Sequence, residues 1–267
     1  MLILLLVPLV LYGLILAGLW VFQERILFPA YIVRAAGPLP AGATRLSIDA
    51  GGGVRLEGVH IPASAPRPGA ALALGFAGNA SNAQGYAELL HALYPERDVV
   101  AFHYRGYAPS TGVTAAHALA GDAPLIHDFV ARRFRPARIV TVGMSLGSGV
   151  AATLAARRPL AGAILITPFD SLSATAHQHY PWLPVGWLLR HDLRTAELLA
   201  SNPAPIAIVA AGDDEVVQPE RTQALRSAIG RLAFDSTLPG ARHNDIIMRP
   251  GFAPAMRAAM DRLDSPR

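Results

Sequence analysis

Three stretches of this chain carry side chains that could act together on a carbonyl carbon. TVGMSLGSGVAA, Thr141 to Ala152, sets Ser145 between Gly143 and Gly147. IAIVAAGDDEVVQP (206–219) ends an apolar run in Asp213, Asp214 and Glu215, and LPGARHNDI (238–246) supplies His243. A serine hydroxyl alone is a poor nucleophile. It needs a base within hydrogen-bond reach and a third group that orients the base. Gly-x-Ser-x-Gly also describes an ordinary tight turn and arises by chance, so the partners carry the argument. Here a serine, an acid and a histidine come in that order, each just after an apolar run, which suits a strand–turn–helix nucleophile site.

Composition narrows the chemistry further. The chain has 267 residues, of which 52% are hydrophobic and 16% charged, against a usual charged share of about 25%. A large core is expected and wholesale disorder is not. There is no Cys, and no Lys: every basic residue is Arg. Thiol nucleophiles, cysteine metal sites, Schiff bases, Ser-Lys dyads and the lysine of a phosphate-binding loop are thereby excluded. The formal charge is +4, and ARRFRPAR (131–138) is locally basic. No nucleic-acid-binding motif accompanies it, so no nucleic-acid partner is expected.

The elements that must position these side chains are legible as alternating runs. TRLSIDA (44–50) and VRLEGVHI (54–61) read as an antiparallel hairpin. Strands are expected at 70–76, 98–104, 138–143, 162–167, 205–211 and 231–238. Helices are expected at 83–93, 115–134 with an interruption at Pro124, 146–158, 220–230, and 246–263 broken by Pro250 and Pro254. Apolar strands without alternation, each followed by a helix, imply a mostly parallel sheet covered on both faces. Phe169 to Asn202 interrupts the rhythm with HYPWLPVGWLLR and reads as a short cap-like insertion over one end of the sheet.

Leu2 to Phe22 contains no charged residue, and about 20 apolar residues suffice to span hydrocarbon as a helix. A cleaved signal peptide would have a basic start, a shorter apolar core and a small-residue cleavage site. The run is therefore expected to be an uncleaved transmembrane anchor (1–22), followed by a linker (23–42) and a soluble domain (43–265). Arg25, Arg34 and Arg45 follow the span and nothing basic precedes it. That bias puts the domain on the cytoplasmic side.

GMSLG, AGDDEVV and GARHND resemble the nucleophile, acid and base segments of α/β-hydrolases. FAGNASN (76–82), YRGYAPSTG (104–112) and TPFDSLSATAHQHYPWLP (167–184) resemble the membrane-anchored serine-hydrolase branch that includes depalmitoylases and lysophospholipid hydrolases. The resemblance covers nearly all of residues 20–265. It implies an α/β-hydrolase fold with Ser145 as nucleophile, Asp214 as orienting acid (Asp213 the runner-up) and His243 as base. It also implies an oxyanion hole from the backbone N–H groups of Leu146 and Asn79, and no cofactor or metal. Two departures stand out. Ala77 replaces the histidine of the His-Gly-Asn segment, and Ala108-Pro109 replaces the Gly-x after YRGY.

The implied function is hydrolysis of carboxylic esters or thioesters through an acyl-enzyme. The expected partners are a lipid bilayer at the N-terminal helix and an acyl-bearing or lipid-like substrate. An amidase or acyltransferase on the same residues is the alternative within enzymes, and a non-catalytic membrane-bound scaffold the alternative outside them. His177 and His179 lack a third residue at metal-ligand spacing. Trp182 and Trp187, with Leu183 and Leu188, would line an acyl pocket or serve as packing.

Overall fold

The computed structural model describes residues 2–264. A 26-residue helix, Leu2–Leu27 (α1), opens the chain and stands mostly clear of the domain, with Leu9, Leu14 and Phe22 exposed. Among the described residues it is the one helix long and apolar enough to cross a membrane. It continues past the uncharged run into the 23–42 segment, the rest of which is docked rather than free. Phe28 is buried, Asn82 Nδ2 donates to Arg34 O at 2.7 Å, and Gln84 Nε2 donates to Pro38 O at 2.9 Å.

Thr44–Asp49 (β1) and Arg55–Ile61 (β2) form the antiparallel pair. Leu72–Phe76 (β3), Ala83–Leu93 (α2), Val99–Phe102 (β4), Ala116–Phe134 (α3), Ile139–Met144 (β5), Leu146–Arg157 (α4) and Gly162–Ile166 (β6) then alternate. The 169–202 insertion carries three short helices: Leu172–His179 (α5), Val185–Leu188 (α6) and Thr195–Leu199 (α7). Ile206–Ala211 (β7), Pro219–Ala228 (α8), Leu232–Leu238 (β8) and Phe252–Asp264 (α9) complete the domain.

The strands make one eight-stranded sheet in the order β1-β2-β4-β3-β5-β6-β7-β8, antiparallel through β4 and parallel from there on. Strands β3, β4, β6 and β7 are buried along their whole length, as strands covered on both faces must be. Their side chains alternate between two cores. Leu72, Leu74 and Phe76 join α3, α4 and α8 on one face, while Ala73 faces α2 and α9 on the other. The chain order reverses at β3, which lies between β4 and β5. A crevice at the carboxyl ends of the strands is expected at such a point.

Helix α3 differs from the sequence expectation, because it runs unbroken through Pro124. Proline lacks the N–H that would bond the carbonyl four residues back. That carbonyl, Ala120 O, accepts instead from Arg157 Nη1 of α4 at 3.1 Å. In the last segment, Ile246–Met248 is a 3₁₀ turn, Pro250 separates it from α9, and Pro254 sits in the first turn of α9. The N–H that Pro254 lacks there has no intrahelical acceptor anyway.

His103, at the end of β4, is buried, and burial with Arg45 nearby lowers its pKa from 6.5 to about 4. The unfolded chain therefore binds a proton that the folded chain excludes between those values. The stability His103 contributes at neutral pH is lost as the pH falls from about 6.5 to about 4. Melting of the full chain in detergent should show this decline, and His103→Gln should make it shallower.

Candidate active site

Ser145 lies between the last residue of β5 and the first of α4, with φ 51° and ψ −117°. This left-handed backbone is costly for a non-glycine residue and persists only where the surroundings enforce it. The two flanking glycines show the enforcement. A Cβ on Gly143 would lie 2.2 Å from Gly147 O, and one on Gly147 would lie 2.0 Å from Phe76 O. The start of α4 is thus pressed against the ends of both β5 and β3, which turns Ser145 outward. Its own N–H donates to Ile166 O of β6 at 2.9 Å.

His243, in the loop after β8, is buried, and its Nε2 lies 2.9 Å from Ser145 Oγ. Its Nδ1 lies 2.9 and 2.8 Å from the two carboxylate oxygens of Asp214, after β7. With Nδ1–H donating to the carboxylate, Nε2 is left to accept from the serine hydroxyl. Asp214 Oδ1 is itself fixed by the Val217 N–H at 2.7 Å and the Val216 N–H at 3.0 Å. Asp213 points elsewhere: it is exposed, and its N–H donates to Ala241 O. Glu215 Oε2 accepts from the His243 N–H at 3.3 Å. Its carboxyl is held below the ordinary range by its own backbone N–H and that of His243, with Arg242 adding.

Leu146 is the first residue of α4, so its N–H is one of the donors that helix geometry leaves without an intrahelical acceptor. The loop after β3 passes beside it: a Cβ on Gly78 would stand 3.8 Å from Ser145 Cβ. Asn79 follows and is exposed. Its side chain is fully engaged, with Nδ2 donating to Leu27 O at 2.7 Å and Oδ1 accepting from Tyr107 OH at 2.6 Å. Tyr104 OH donates to Ala77 O at 2.6 Å. The loop in which alanine replaces the family's histidine is therefore held by two tyrosines.

The YRGY segment shows the spacing of Tyr104 and Tyr107, but nothing local in the sequence shows that they bond Ala77 and Asn79. Arg105 forms a two-point pair with Asp122 of α3. Ser110 Oγ accepts from the Glu57 N–H and donates to His103 O, which ties the loop containing Ala108-Pro109 to β2 and β4. His179 Nε2 donates to Val216 O at 2.7 Å, and among the described residues no group of three metal-capable side chains occurs. Trp182 and Trp187 are exposed on the cap.

No family model matches the chain. An uncharacterised protein of Mycobacterium tuberculosis is 34% identical over 237 residues, 85% of this chain and 82% of that protein. The lysophosphatidylserine lipase ABHD12 of Danio rerio is 29% identical over 137 residues, 45% of this chain and 36% of that one. An α/β hydrolase of Vibrio vulnificus superposes with a TM-score of 0.68 at 18% identity, covering 91% of each chain. An esterase of Pyrococcus furiosus gives 0.69 at 15% identity, covering 87% of this chain and 96% of that one. A bacterial membrane phospholipase A gives 0.60 at 16% identity, covering 98% and 99%. The chain has the α/β-hydrolase fold of these solved structures and is a relative of that mycobacterial protein. The structures that share this fold are a hydrolase, an esterase and a phospholipase by name.

The two glycines beside Ser145 should tolerate no side chain. Gly147→Ala forces a methyl onto a backbone oxygen and should cost about 4 kcal/mol or more, or prevent folding. Gly85→Ala, in α2 with open space around it, should stabilise by about 0.5–1 kcal/mol. Thermal unfolding of the two variants compares them directly.

Proposed function

We propose that this protein is a membrane-anchored serine hydrolase that cleaves carboxylic esters or thioesters of acyl or lipid-like substrates. The observation that carries the reading is the unbroken relay from Ser145 Oγ through His243 to Asp214, each contact under 3 Å. His243 takes the serine proton as Oγ attacks the carbonyl carbon, and Asp214 holds the imidazolium that forms. The N–H groups of Leu146 and Asn79 receive the developing oxyanion. The tetrahedral intermediate collapses to an acyl-enzyme as His243 protonates the leaving oxygen or sulfur. A water then gives its proton to His243, attacks the acyl carbon and releases the acid with Ser145 restored. The residues present perform every step, and no cofactor is called for.

In this reading α1 is the anchor and 43–265 the catalytic domain, with the cap over the site from about 169 to 202. The arginines after the span support a cytoplasmic side for that domain. Apolar substrates fit an enzyme whose site lies next to a bilayer-spanning helix, and both the phospholipase neighbour and the lipase relative act on lipids by name.

A fluorophosphonate probe tests the class. Wild type should label and Ser145→Ala should not, while both melt alike; unlabelled, folded wild type would sink the enzyme reading. The choice of acid is tested by ester turnover. Asp214→Asn should lower kcat by about 10⁴-fold, whereas Asp213→Asn should leave it unchanged. Equal losses in both variants would contradict the assignment.

A further inference from the structure

Helix α1 and the cap enclose a cavity of about 300 Å³ that the relay does not use. Ile15, Leu19 and Ile26 line one side, and Tyr180, Leu183 and Leu188 the other. No charged side chain lies on its wall. The single amide there, Gln23, has both ends occupied: Nε2 donates to Leu188 O at 3.0 Å and to Trp20 O at 2.9 Å, and Oε1 accepts from the Arg190 N–H at 3.0 Å. Beside it Arg190 pairs with Glu24 at 3.3 Å and stacks over Trp20 at 5.1 Å. These contacts fix the helix to the cap and leave an apolar slot between them. Such a slot selects a hydrocarbon and has little to offer a headgroup.

The position of the slot along α1 says where that hydrocarbon comes from. Tyr12 OH donates to Trp182 O at 2.9 Å, so the cap accompanies α1 as far as Tyr12. Tyr12 precedes the end of the uncharged run, Phe22, by ten residues, roughly 15 Å of helix. A bilayer that takes up the run therefore also takes up this edge of the cap. The exposed side chains of Tyr180, Trp182 and Trp187 suit that boundary. In that placement the slot lies at hydrocarbon and interface depth.

The elements that wall the slot are also tied to the loops around the site. Leu27 lines the slot, and Leu27 O receives the Asn79 side chain from the loop beside Ser145. From the cap, α5 meets the acid loop through His179 and Val216 O, two residues beyond Asp214. Two hydrogen bonds thus link the elements that wall the slot, α1 and α5, to the loop beside Ser145 and to the loop of Asp214.

We infer that this slot is the acyl-chain site: the fatty chain of a membrane lipid or lipidated substrate enters sideways from the bilayer between α1 and the cap, and α1 is one wall of the substrate site as well as an anchor. The inference rests on the hydrolase reading above and adds to it where the chain lies and how it arrives.

The test uses the full chain in lipid nanodiscs, with butanoyl and dodecanoyl nitrophenyl esters and fluorophosphonate labelling as readouts. Leu19→Trp fills the slot from the helix and Leu183→Trp from the cap, so each stands in should the other fail to fold. Val21→Trp adds the same bulk on another face of α1, beside Gly112 and Val113. The slot-filling variants should lose about 10-fold or more in kcat/KM on the dodecanoyl ester, keep butanoyl turnover and keep labelling. Val21→Trp should match wild type throughout. Equal loss on both esters, or no loss on either, overturns the acyl-chain site while labelling still upholds the hydrolase. Absence of labelling and turnover in folded wild type removes both.

Discussion

The arrangement depends on one steric constraint: helix α4 begins closer to the ends of β3 and β5 than any side chain permits. Phe76 O and Gly147 O occupy the places where Cβ atoms would be. That approach holds Ser145 at φ 51° and presents its hydroxyl beyond the carboxyl edge of the sheet. It also makes the first N–H groups of α4 available at the same edge. The strain at one residue is offset by burial of the small-residue helix behind it, where Val150, Ala151, Ala152 and Leu154 are buried. The outward turn at Ser145 and a helix packed tightly on a sheet are here the same feature.

The other two members of the relay depend on strand order. β7 and β8 run parallel to β5, so the loops that follow them emerge on the same side. Register within the β7 loop then decides which acid faces His243. Asp213 gives its N–H to Ala241 and stays outside, while Asp214 turns inward and is gripped by two amides. The histidine backbone is steadied in turn by Glu215. Three consecutive acids thus have three different surroundings.

Much of this was legible in the chain because parallel strands buried on both faces produce unmistakable apolar runs. The residues that follow those runs are then forced to one edge, which is why Ser145, the acids at 213–215 and His243 stand out together in the sequence, whereas the preference for Asp214 over Asp213 rested on the resemblance of AGDDEVV. Contacts between distant elements were not legible. Pro124 looks like a break, because nothing local reveals that Arg157 will meet the freed carbonyl. Tyr104 and Tyr107 stand in a recognisable segment, but their bonds to Ala77 and Asn79 exist only once β4 lies next to β3. The 23–42 segment reads as a tether from its prolines, and only the side chains of Asn79, Asn82 and Gln84 make it part of the domain surface.

The bond from the Asn79 amide to the Leu27 carbonyl has a practical side. Trimming the apolar leader to obtain a freely soluble domain is the usual first step with such chains. A cut beyond Leu27 removes the acceptor that immobilises this loop and unseats Phe28 from the core at the same stroke. Kinetics measured on such a shortened protein would describe a remodelled loop, and a weak rate there would say little about the intact molecule.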